Sequence, residues 1–440
     1  MLDTREGELA VYRLVRARHR STLDMEHTKI VKGADGAVLR RSGQIVEKWR
    51  EYYNHLCNEE FCHPPIPTVP SVEGPVLPIT AVEVSAAFAK MKSNKATGPD
   101  DIPADVWKLL GDRGSGWLAT LFNKIVAEGW TPDVWQTSVT VPVWKGKGDI
   151  ADCTSYRPIR LLCHTMKVLE ARLRKTVSVS LNQCGFVKDC STIDAIHAVR
   201  ILLEKHREKN RSVHLAFLDL EKAFDRVPHE LLWMSMRSHR VPDEYVRWTK
   251  LLYAKPTSVV RCAAGTSRPF LVHVGVHQGS SLSPLLFILC MDTITKEIQK
   301  QHSWTLLFAD DVMLASESRD DLQKHVQSWK DQLQQYRLRL NKPKTEYMEC
   351  GPRREDGSIR VDGTELNKVN CFKHLGSKVT STGDIDQEGV RPRRRPKIRW
   401  LHRVKLDMID ARLCTADAMD RTKWKTRSRK AGPTTTRDKR

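Results

Sequence analysis

The segment Trp304-Thr-Leu-Leu-Phe-Ala-Asp-Asp-Val-Met-Leu-Ala315 places two adjacent aspartates between two apolar runs. This pattern predicts a strand ending at Phe308-Ala309, a turn at Asp310-Asp311 and a second strand from Val312. Carboxylates at the tip of a buried hairpin are costly unless they are paired or bind a metal, and oxygen ligands of this kind suit Mg²⁺. An ordinary hairpin turn is the alternative, because Asp is a common turn residue.

A third carboxylate follows another apolar run. Residues Val213 to Leu218 are predicted to form a strand that delivers Asp219 at its end. One carboxylate from this strand and two from the hairpin can hold two Mg²⁺ ions about 3.5–4 Å apart, as in two-metal sites for phosphoryl transfer. Such a site activates an attacking hydroxyl and stabilises a leaving pyrophosphate.

Three stretches occur in a fixed order along the chain: AFLDLEKAFDRV from Ala216, GVHQGSSLSPLLF from Gly275 and FADDVML from Phe308. In this order and spacing they resemble a reverse transcriptase, in detail the non-LTR (LINE-type) retrotransposon enzymes and most closely the RTE-like group. The resemblance runs from about Ile79 to about Lys378 and resumes in the basic C-terminal segment. It implies an α+β fold, a right-hand polymerase with fingers and a ferredoxin-like palm.

The resemblance implies the chemistry as well. Asp219, Asp310 and Asp311 would be the catalytic and metal-binding residues, with two Mg²⁺ ions as cofactors and Mn²⁺ as an alternative. The activity would be that of an RNA-directed DNA polymerase, which adds dNTPs to a primer 3′-OH. Its partners would be an RNA template, a DNA primer or target, and the dNTPs. The alternative is a catalytically inactive, nucleic-acid-binding remnant of the retrotransposon protein.

Other residues receive roles from the same resemblance. Lys145 and Arg157 would contact the triphosphate, and Gln278-Gly279 would lie beside the nascent base pair. Phe224 would be a steric gate that clashes with a ribonucleotide 2′-OH. Gln183-Cys-Gly-Phe186 resembles a motif that precedes the palm. Lys344 would be the basic residue of a later nucleotide-binding palm motif. The primer grip would consist of Phe372, His374, Leu375 and Gly376.

Each of these residues also has an ordinary interpretation. The basic residues can be solvated surface charges. Gly279 can serve a turn, and Phe224 can be a packed core residue. Only the joint order of the motifs favours the functional interpretation.

The charge of the chain suits a polyanionic partner. Among its 440 residues, 73 Lys and Arg outnumber 53 Asp and Glu, which leaves a net charge of +20. Lys and Arg that bind phosphates release counterions, so this excess favours nucleic-acid binding, although a basic structural protein would show it too.

The cysteines and the hydropathy indicate an intracellular protein. Eleven cysteines occur without a CxxC pair, and no signal-peptide pattern precedes them. The cluster of His55, Cys57, Cys62 and His63 lacks the second half of a zinc site. No stretch approaches about 18 consecutive apolar residues, so we expect no membrane span. The location would be the nucleus, the cytoplasm or both, and the oligomeric state stays open.

Four segments are predicted along the chain. They are an N-terminal helical extension (1–63), a Pro-rich linker (64–79), the fingers and palm (80–378), and a truncated thumb remnant with a basic C-terminal segment (379–440). Residues 391–440 hold 18 Lys and Arg against 5 Asp. The family's long helical thumb segment is missing before this block, as in a degenerate copy, and residues 1–78 are too short for the endonuclease domain of full-length elements.

Overall fold

A computed structural model describes residues 27–387, apart from residues 60–63, 75, 94, 167, 169–171, 175–176, 281, 302–303, 353–356 and 383–384. All described residues except Gln387 belong to one unit. The elements of the first part are α1 Ser42–Asn58, α2 Ala81–Ala89, α3 Ala104–Leu109, α4 Gly111–Glu128, α5 Asp133–Gln136, β1 Thr137–Trp144, β2 Tyr156–Leu161 and α6 Thr192–Glu208.

The second part begins with the strand predicted to carry the first aspartate. Its elements are β3 Val213–Leu218, α7 Ala223–Arg226, α8 His229–Ser238, α9 Asp243–Leu252, β4 Thr257–Cys262, β5 Gly265–Thr266, β6 Phe270–Leu271, α10 Leu282–Gln301, β7 Trp304–Phe308, β8 Asp311–Ser316, α11 Arg319–Gln335, β9 Glu346–Cys350, β10 Arg360–Val361, β11 Thr364–Glu365, β12 Asn367–Lys368, β13 Cys371–His374, β14 Ser377–Thr380 and β15 Ile385–Gln387.

The fingers are built on a sheet with the order β2-β1-β4-β5, and β6 also pairs with β4. Strands β1 and β2 are antiparallel, whereas β1 and β4 are parallel. Helix α1 covers this sheet, because its Trp49 and Tyr53 are fully buried in one cluster with Val260 and Phe270. The N-terminal helix therefore packs as a part of the fingers.

The palm sheet has the order β12-β9-β3-β8-β7, and β3 is antiparallel to both β8 and β9. Four neighbouring strands of this sheet, β9-β3-β8-β7, follow one another in the chain as β3, β7, β8 and β9. Helix α10 lies in the connection between β3 and β7, and helix α11 lies in the connection between β8 and β9. This is the split βαβ plan of ferredoxin-like folds. The predicted α+β fold with a ferredoxin-like palm is confirmed.

Strand β3 is buried on both faces. Leu215 and Phe217 face α6, while Ala216 and Leu218 belong to the larger cluster that includes α10 and α11. A strand covered on both sides needs a nearly continuous apolar run, and Val213–Leu218 is apolar except for the buried His214. The end of β3 is thereby fixed in the middle of the palm sheet.

Two helices near the site follow local patterns in the sequence. Helix α11 buries a stripe of Leu322, Val326, Trp329 and Leu333, each with no exposed surface. Helix α2 begins at a capping box in which Thr80 and Glu83 exchange side-chain and backbone hydrogen bonds. None of the described helices is both long enough and apolar enough to cross a membrane.

The Pro-rich segment from residue 64 has no helix or strand in its described part. It runs along the surface of the core, where Ile66 and Val69 contact buried residues and the Asp243 N–H donates to the Val72 carbonyl at 2.8 Å. The domain boundaries stay predictions. The expected loss of the thumb and the basic segment 391–440 lie outside the described residues.

Candidate active site

A cleft of about 910 Å³ opens between the fingers sheet and the palm. Its wall collects residues from β2, from the loop after β3, from the β7–β8 turn and from the segment before β9. The predicted site residues that line it are Lys145, Arg157, Asp219, Phe224, Gln278, Gly279, Asp310 and Lys344. Distant parts of the chain thus meet in one space.

Asp219 lies directly after β3, and the chain before β9 holds its backbone. The Asn341 N–H donates to the Asp219 carbonyl at 2.8 Å, and the Asp219 N–H donates to Thr345 Oγ1 at 3.4 Å. The Lys344 Nζ is 3.8 Å from the Asp219 carboxylate. Both groups are partly exposed to the cleft, so the carboxylate remains free to accept another cation.

Asp310 occupies the turn of the β7–β8 hairpin, as predicted, but the turn begins one residue earlier than the sequence predicts. Phe308 pairs with Asp311, so the turn consists of Ala309 and Asp310, and Asp311 begins strand β8. Ala309 has φ +58°, a left-handed conformation that is unfavourable for a residue with a Cβ. The expectation of a turn at Asp310-Asp311 was wrong because it omitted the contact that stabilises Ala309.

That contact comes from the predicted motif Gln183-Cys-Gly-Phe186. The buried Gln183 Oε1 accepts hydrogen bonds from the N–H groups of Gly185 (2.8 Å) and Ala309 (3.1 Å). Gly185 lies so close to the turn that a Cβ there would be 2.4 Å from the Ala309 nitrogen. Gln183 therefore fixes the turn that carries Asp310.

The hairpin carboxylates are electrostatically strained. Burial raises the pKa of Asp310, and repulsion from Asp219 adds to this effect. Partial burial raises the pKa of Asp311 to about 6, and repulsion from Asp310 and Asp219 adds to the shift. A divalent cation would relieve both effects, because its positive charge compensates the negative charge of the clustered carboxylates.

The donor set fits a hard cation by its chemistry, since all three side chains offer carboxylate oxygens. Asp219 and Asp310 line the same cleft, whereas Asp311 stands next to it at the start of β8. Within residues 27–387 as described, no three His, Cys, Asp or Glu side chains already form a metal-binding cluster. The three aspartates interact electrostatically, but their side chains do not form a finished coordination sphere.

Lys145 and Arg157 reach the cleft from the fingers. The Lys145 Nζ donates to the Thr154 carbonyl at 2.6 Å. Burial lowers the pKa of Lys145, and the nearby cations Lys344, Lys222 and Arg157 contribute to the shift. Mutual repulsion of this kind indicates several positive charges around one space, which suits a polyanionic ligand.

Phe224 has both of the roles considered for it. Its half-buried ring stacks on Phe287 of α10, with ring centroids 4.1 Å apart. The same side chain lines the cleft near Asp219. Packing therefore fixes the ring in a position from which it can limit the shape of a ligand.

Gln278 and Gly279 are held by two residues, Asp225 and Arg160, for which no sequence motif indicated a role. The Gln278 Nε2 donates to Asp225 Oδ2 at 3.1 Å, and the Arg160 N–H donates to the Gln278 carbonyl. Gly279 has φ +116°, and a Cβ there would lie 2.2 Å from the Arg160 carbonyl oxygen, so only glycine fits. Burial raises the pKa of Asp225 to about 6, although Arg160 and other nearby cations oppose the shift.

The predicted primer-grip residues form the β13–β14 hairpin, and none of them is among the residues that line the cleft. Phe372 stacks on Phe217 of β3 with ring centroids 3.9 Å apart, and His374 is buried beside the same ring. Leu375 and Gly376 have φ +49° and +85° and make the two-residue turn. The hairpin lies against the palm face that α6 covers.

Comparison with known proteins identifies the family of this chain. The sequence pattern of the family described as "Reverse transcriptase (RNA-dependent DNA polymerase)" matches residues 145–379. The chain is 26% identical to the Pol polyprotein of the type-1 retrotransposable element R2 from Nasonia vitripennis, over 70% of this chain and 32% of that protein. It is also 26% identical to the RNA-directed DNA polymerase from mobile element jockey of Drosophila funebris, over 69% of this chain and 35% of that protein.

Among solved structures, the telomerase from Candida tropicalis with the TWJ fragment of telomeric RNA is 15% identical. It has a TM-score of 0.43 and covers 65% of this chain and 50% of that one. The chain spans about a third of the length of the curated relatives it matches. The match over residues 145–379 shows that the chain belongs to the reverse transcriptase family, and its curated relatives are of the predicted non-LTR retrotransposon type.

Proposed function

We propose that this chain is an RNA-directed DNA polymerase that adds dNTPs to a primer 3′-OH on an RNA template. The observation that carries the proposal is the cleft itself. It brings Asp219 and Asp310 together with the cations Lys145 and Arg157 and with the ring of Phe224. Carboxylates for a divalent ion, cations for phosphates and a shape filter are the parts that templated nucleotide addition needs.

Asp219, Asp310 and Asp311 would hold Mg²⁺, or Mn²⁺ in its place. When bound, the ions activate the attacking hydroxyl and neutralise charge on the phosphates. Lys145 and Arg157 orient the triphosphate from the fingers, and Lys344 balances the charge of Asp219. Gln278 and Gly279 lie beside the new base pair. Phe224 excludes a 2′-OH by contact with the sugar.

Primer extension on a poly-rA template with an oligo-dT primer, dTTP and Mg²⁺ tests the proposal. Asp310→Asn should reduce extension by about a hundredfold or more, because the loss of a metal ligand removes several kcal/mol of charge stabilisation. Hybrid binding and the unfolding midpoint should stay near those of the parent. The matched control is Asp320→Asn on α11, where the side chain is 83% exposed.

Two outcomes would contradict this assignment. Near-normal extension by Asp310→Asn would remove Asp310 from the catalytic residues. A parent chain that binds the hybrid but never extends it, under Mg²⁺ or Mn²⁺, would assign the inactive nucleic-acid-binding remnant in its place.

A further inference from the structure

Lys222 stands out in the loop between Asp219 and Phe224. Its side chain lines the cleft, and its backbone has φ +50° and ψ +39°, in the left-handed region that residues with a Cβ rarely adopt. The conformation starts the short helix α7, in which the Asp225 N–H donates to the Lys222 carbonyl at 2.9 Å. Backbone strain of this kind persists where surrounding contacts impose it, and it is concentrated at functional sites.

The contact that holds the Lys222 side chain comes from helix α1. The Lys222 Nζ lies 5.3 Å from the ring centroid of Tyr52, which is a cation–π distance. Tyr52 is half-buried against Tyr53 and also lines the cleft. Helix α1 precedes the region matched by the family pattern, which begins at residue 145. A segment outside the matched region therefore contributes to the wall of the nucleotide cleft.

The nearby carboxylates are engaged elsewhere. Glu221 Oε1 and Glu59 Oε2 lie 3.4 and 2.9 Å from the guanidinium of Arg226, and Asp225 accepts the Gln278 amide. Burial lowers the pKa of Lys222, and repulsion from Arg226 lowers it further. The three carboxylates oppose this shift. Lys222 is thus a partly desolvated ammonium that faces the same space as Lys145.

We propose that Lys222 binds the triphosphate of the incoming nucleotide, and that Tyr52 of α1 positions it for this contact. The inference rests on the proposed polymerase function and adds a residue to its nucleotide site. A lysine binds phosphate as a compact point charge, and a triphosphate joins several negative charges in one small ligand. A nucleic-acid backbone spreads its charges along the strand, which matches two converging ammonium groups less well.

Binding of inorganic tripolyphosphate, measured by calorimetry without added divalent ions, isolates the contribution of the cations. Lys222→Gln keeps most of the side-chain length and removes the charge, so affinity should fall about tenfold. Lys222→Arg should stay within about threefold of the parent, because it keeps the charge. The matched control is Lys250→Gln, since Lys250 has a similar ring contact with Trp233, 5.9 Å away, outside the cleft.

Steady-state extension adds a second readout. Lys222→Gln should raise KM for dTTP by about tenfold with a smaller change in kcat, because a triphosphate contact acts on binding before it acts on chemistry. Tyr52→Leu should change KM in the same direction, whereas Tyr52→Phe should not, since it keeps the ring. A thermal unfolding midpoint near that of the parent shows that each variant is folded.

The outcomes separate the two proposals. Unchanged tripolyphosphate affinity in folded Lys222→Gln overturns the inference. Weakened binding of an RNA–DNA hybrid with an unchanged KM for dTTP overturns it too, because Lys222 would then contact the backbone. If the parent never extends a primer but Lys222→Gln still weakens tripolyphosphate binding, the polymerase assignment fails and the phosphate site stands.

Discussion

At the residue scale, the ring of Phe224 serves both core packing and the proposed selection of the nucleotide sugar. The ring stacks on Phe287 and lines the cleft, so any substitution affects the core and the ligand together. Phe287 is fully buried and is not among the residues that line the cleft. The two positions therefore allow packing to be separated from sugar selection.

We expect Phe224→Val to raise the ratio of rGTP to dGTP incorporation by about tenfold or more, because the clash with the 2′-OH is relieved. The ratio is measured in single-turnover extension with each nucleotide. Phe287→Leu should lower the unfolding free energy, by about 1–2 kcal/mol, and should change the ratio much less than Phe224→Val does, because the Phe224 ring itself is kept. An unchanged ratio in an active Phe224→Val variant would reduce Phe224 to a packing residue.

His374 provides a pH dependence of stability. Burial lowers its pKa to about 4, against about 6.5 in an unfolded chain. The unfolded state therefore binds the proton more readily, and the contribution of His374 to stability falls as the pH drops from about 6.5 towards 4, by up to about 1.4 kcal/mol per pH unit. The His374→Leu variant has no imidazole to protonate, so it does not lose stability in this way.

Urea unfolding between about pH 7 and pH 4.5 checks this expectation. The difference in unfolding free energy should move in favour of His374→Leu as the pH falls. His55→Leu is the control, because the His55 side chain is 74% exposed. Parallel curves for the parent and His374→Leu would show that His374 titrates normally in the folded protein.

At the scale of elements, the β7–β8 hairpin depends on a partner that is remote in the chain. Its turn is held by Gln183, which lies 126 residues before Ala309. The segment around Gln183 also pairs with β7, since the Cys184 N–H donates to the Leu307 carbonyl at 2.8 Å. The position of Asp310 is therefore set by a third strand-like segment as well as by the hairpin.

Gln183→Leu should lower kcat by about tenfold or more with little change in KM for dTTP, because the turn that carries Asp310 loses its anchor. The substitution also leaves the buried N–H groups of Gly185 and Ala309 without an acceptor, and each loss costs about 1–3 kcal/mol of stability. Gln334→Leu on the exposed face of α11 is the control. A loss of stability with full activity would make Gln183 a purely structural residue.

At the scale of the whole molecule, the cleft exists because two sheets meet. The Arg160 N–H at the end of the fingers sheet reaches the Gln278 carbonyl of the palm, and the Arg160 guanidinium donates to the Cys57 sulfur of α1 at 2.8 Å. Helix α1, the fingers and the palm are joined at this buried arginine. The basic segment 391–440, which lies outside the described residues, adds 13 of the 20 net positive charges.

Deleting residues 391–440 should weaken binding of RNA and DNA without regard to sequence, because Lys and Arg contacts to phosphates carry no sequence information. The plot of log K against log salt should become flatter, by about 0.7–0.9 for each phosphate contact that is lost. Fluorescence anisotropy over a salt series measures both. An unchanged slope would show that the cleft and the palm supply the phosphate contacts by themselves.

Local patterns determined much of the palm from the sequence alone. The apolar run before Asp219, the hairpin around Asp310 and the stripe of Leu322 to Leu333 on α11 were predictable because neighbouring residues set strand and helix periodicity. The order of the motifs then indicated the family, and with it eight of the residues that line one cleft.

Only the tertiary structure decided how those residues are held. The turn at Ala309 depends on Gln183, the position of the Lys222 side chain on Tyr52, and the close approach at Gly279 on Arg160. Each pair joins segments more than a hundred residues apart. Such contacts arise when packed elements bring side chains together, and no local periodicity records which distant side chain will fill a given position.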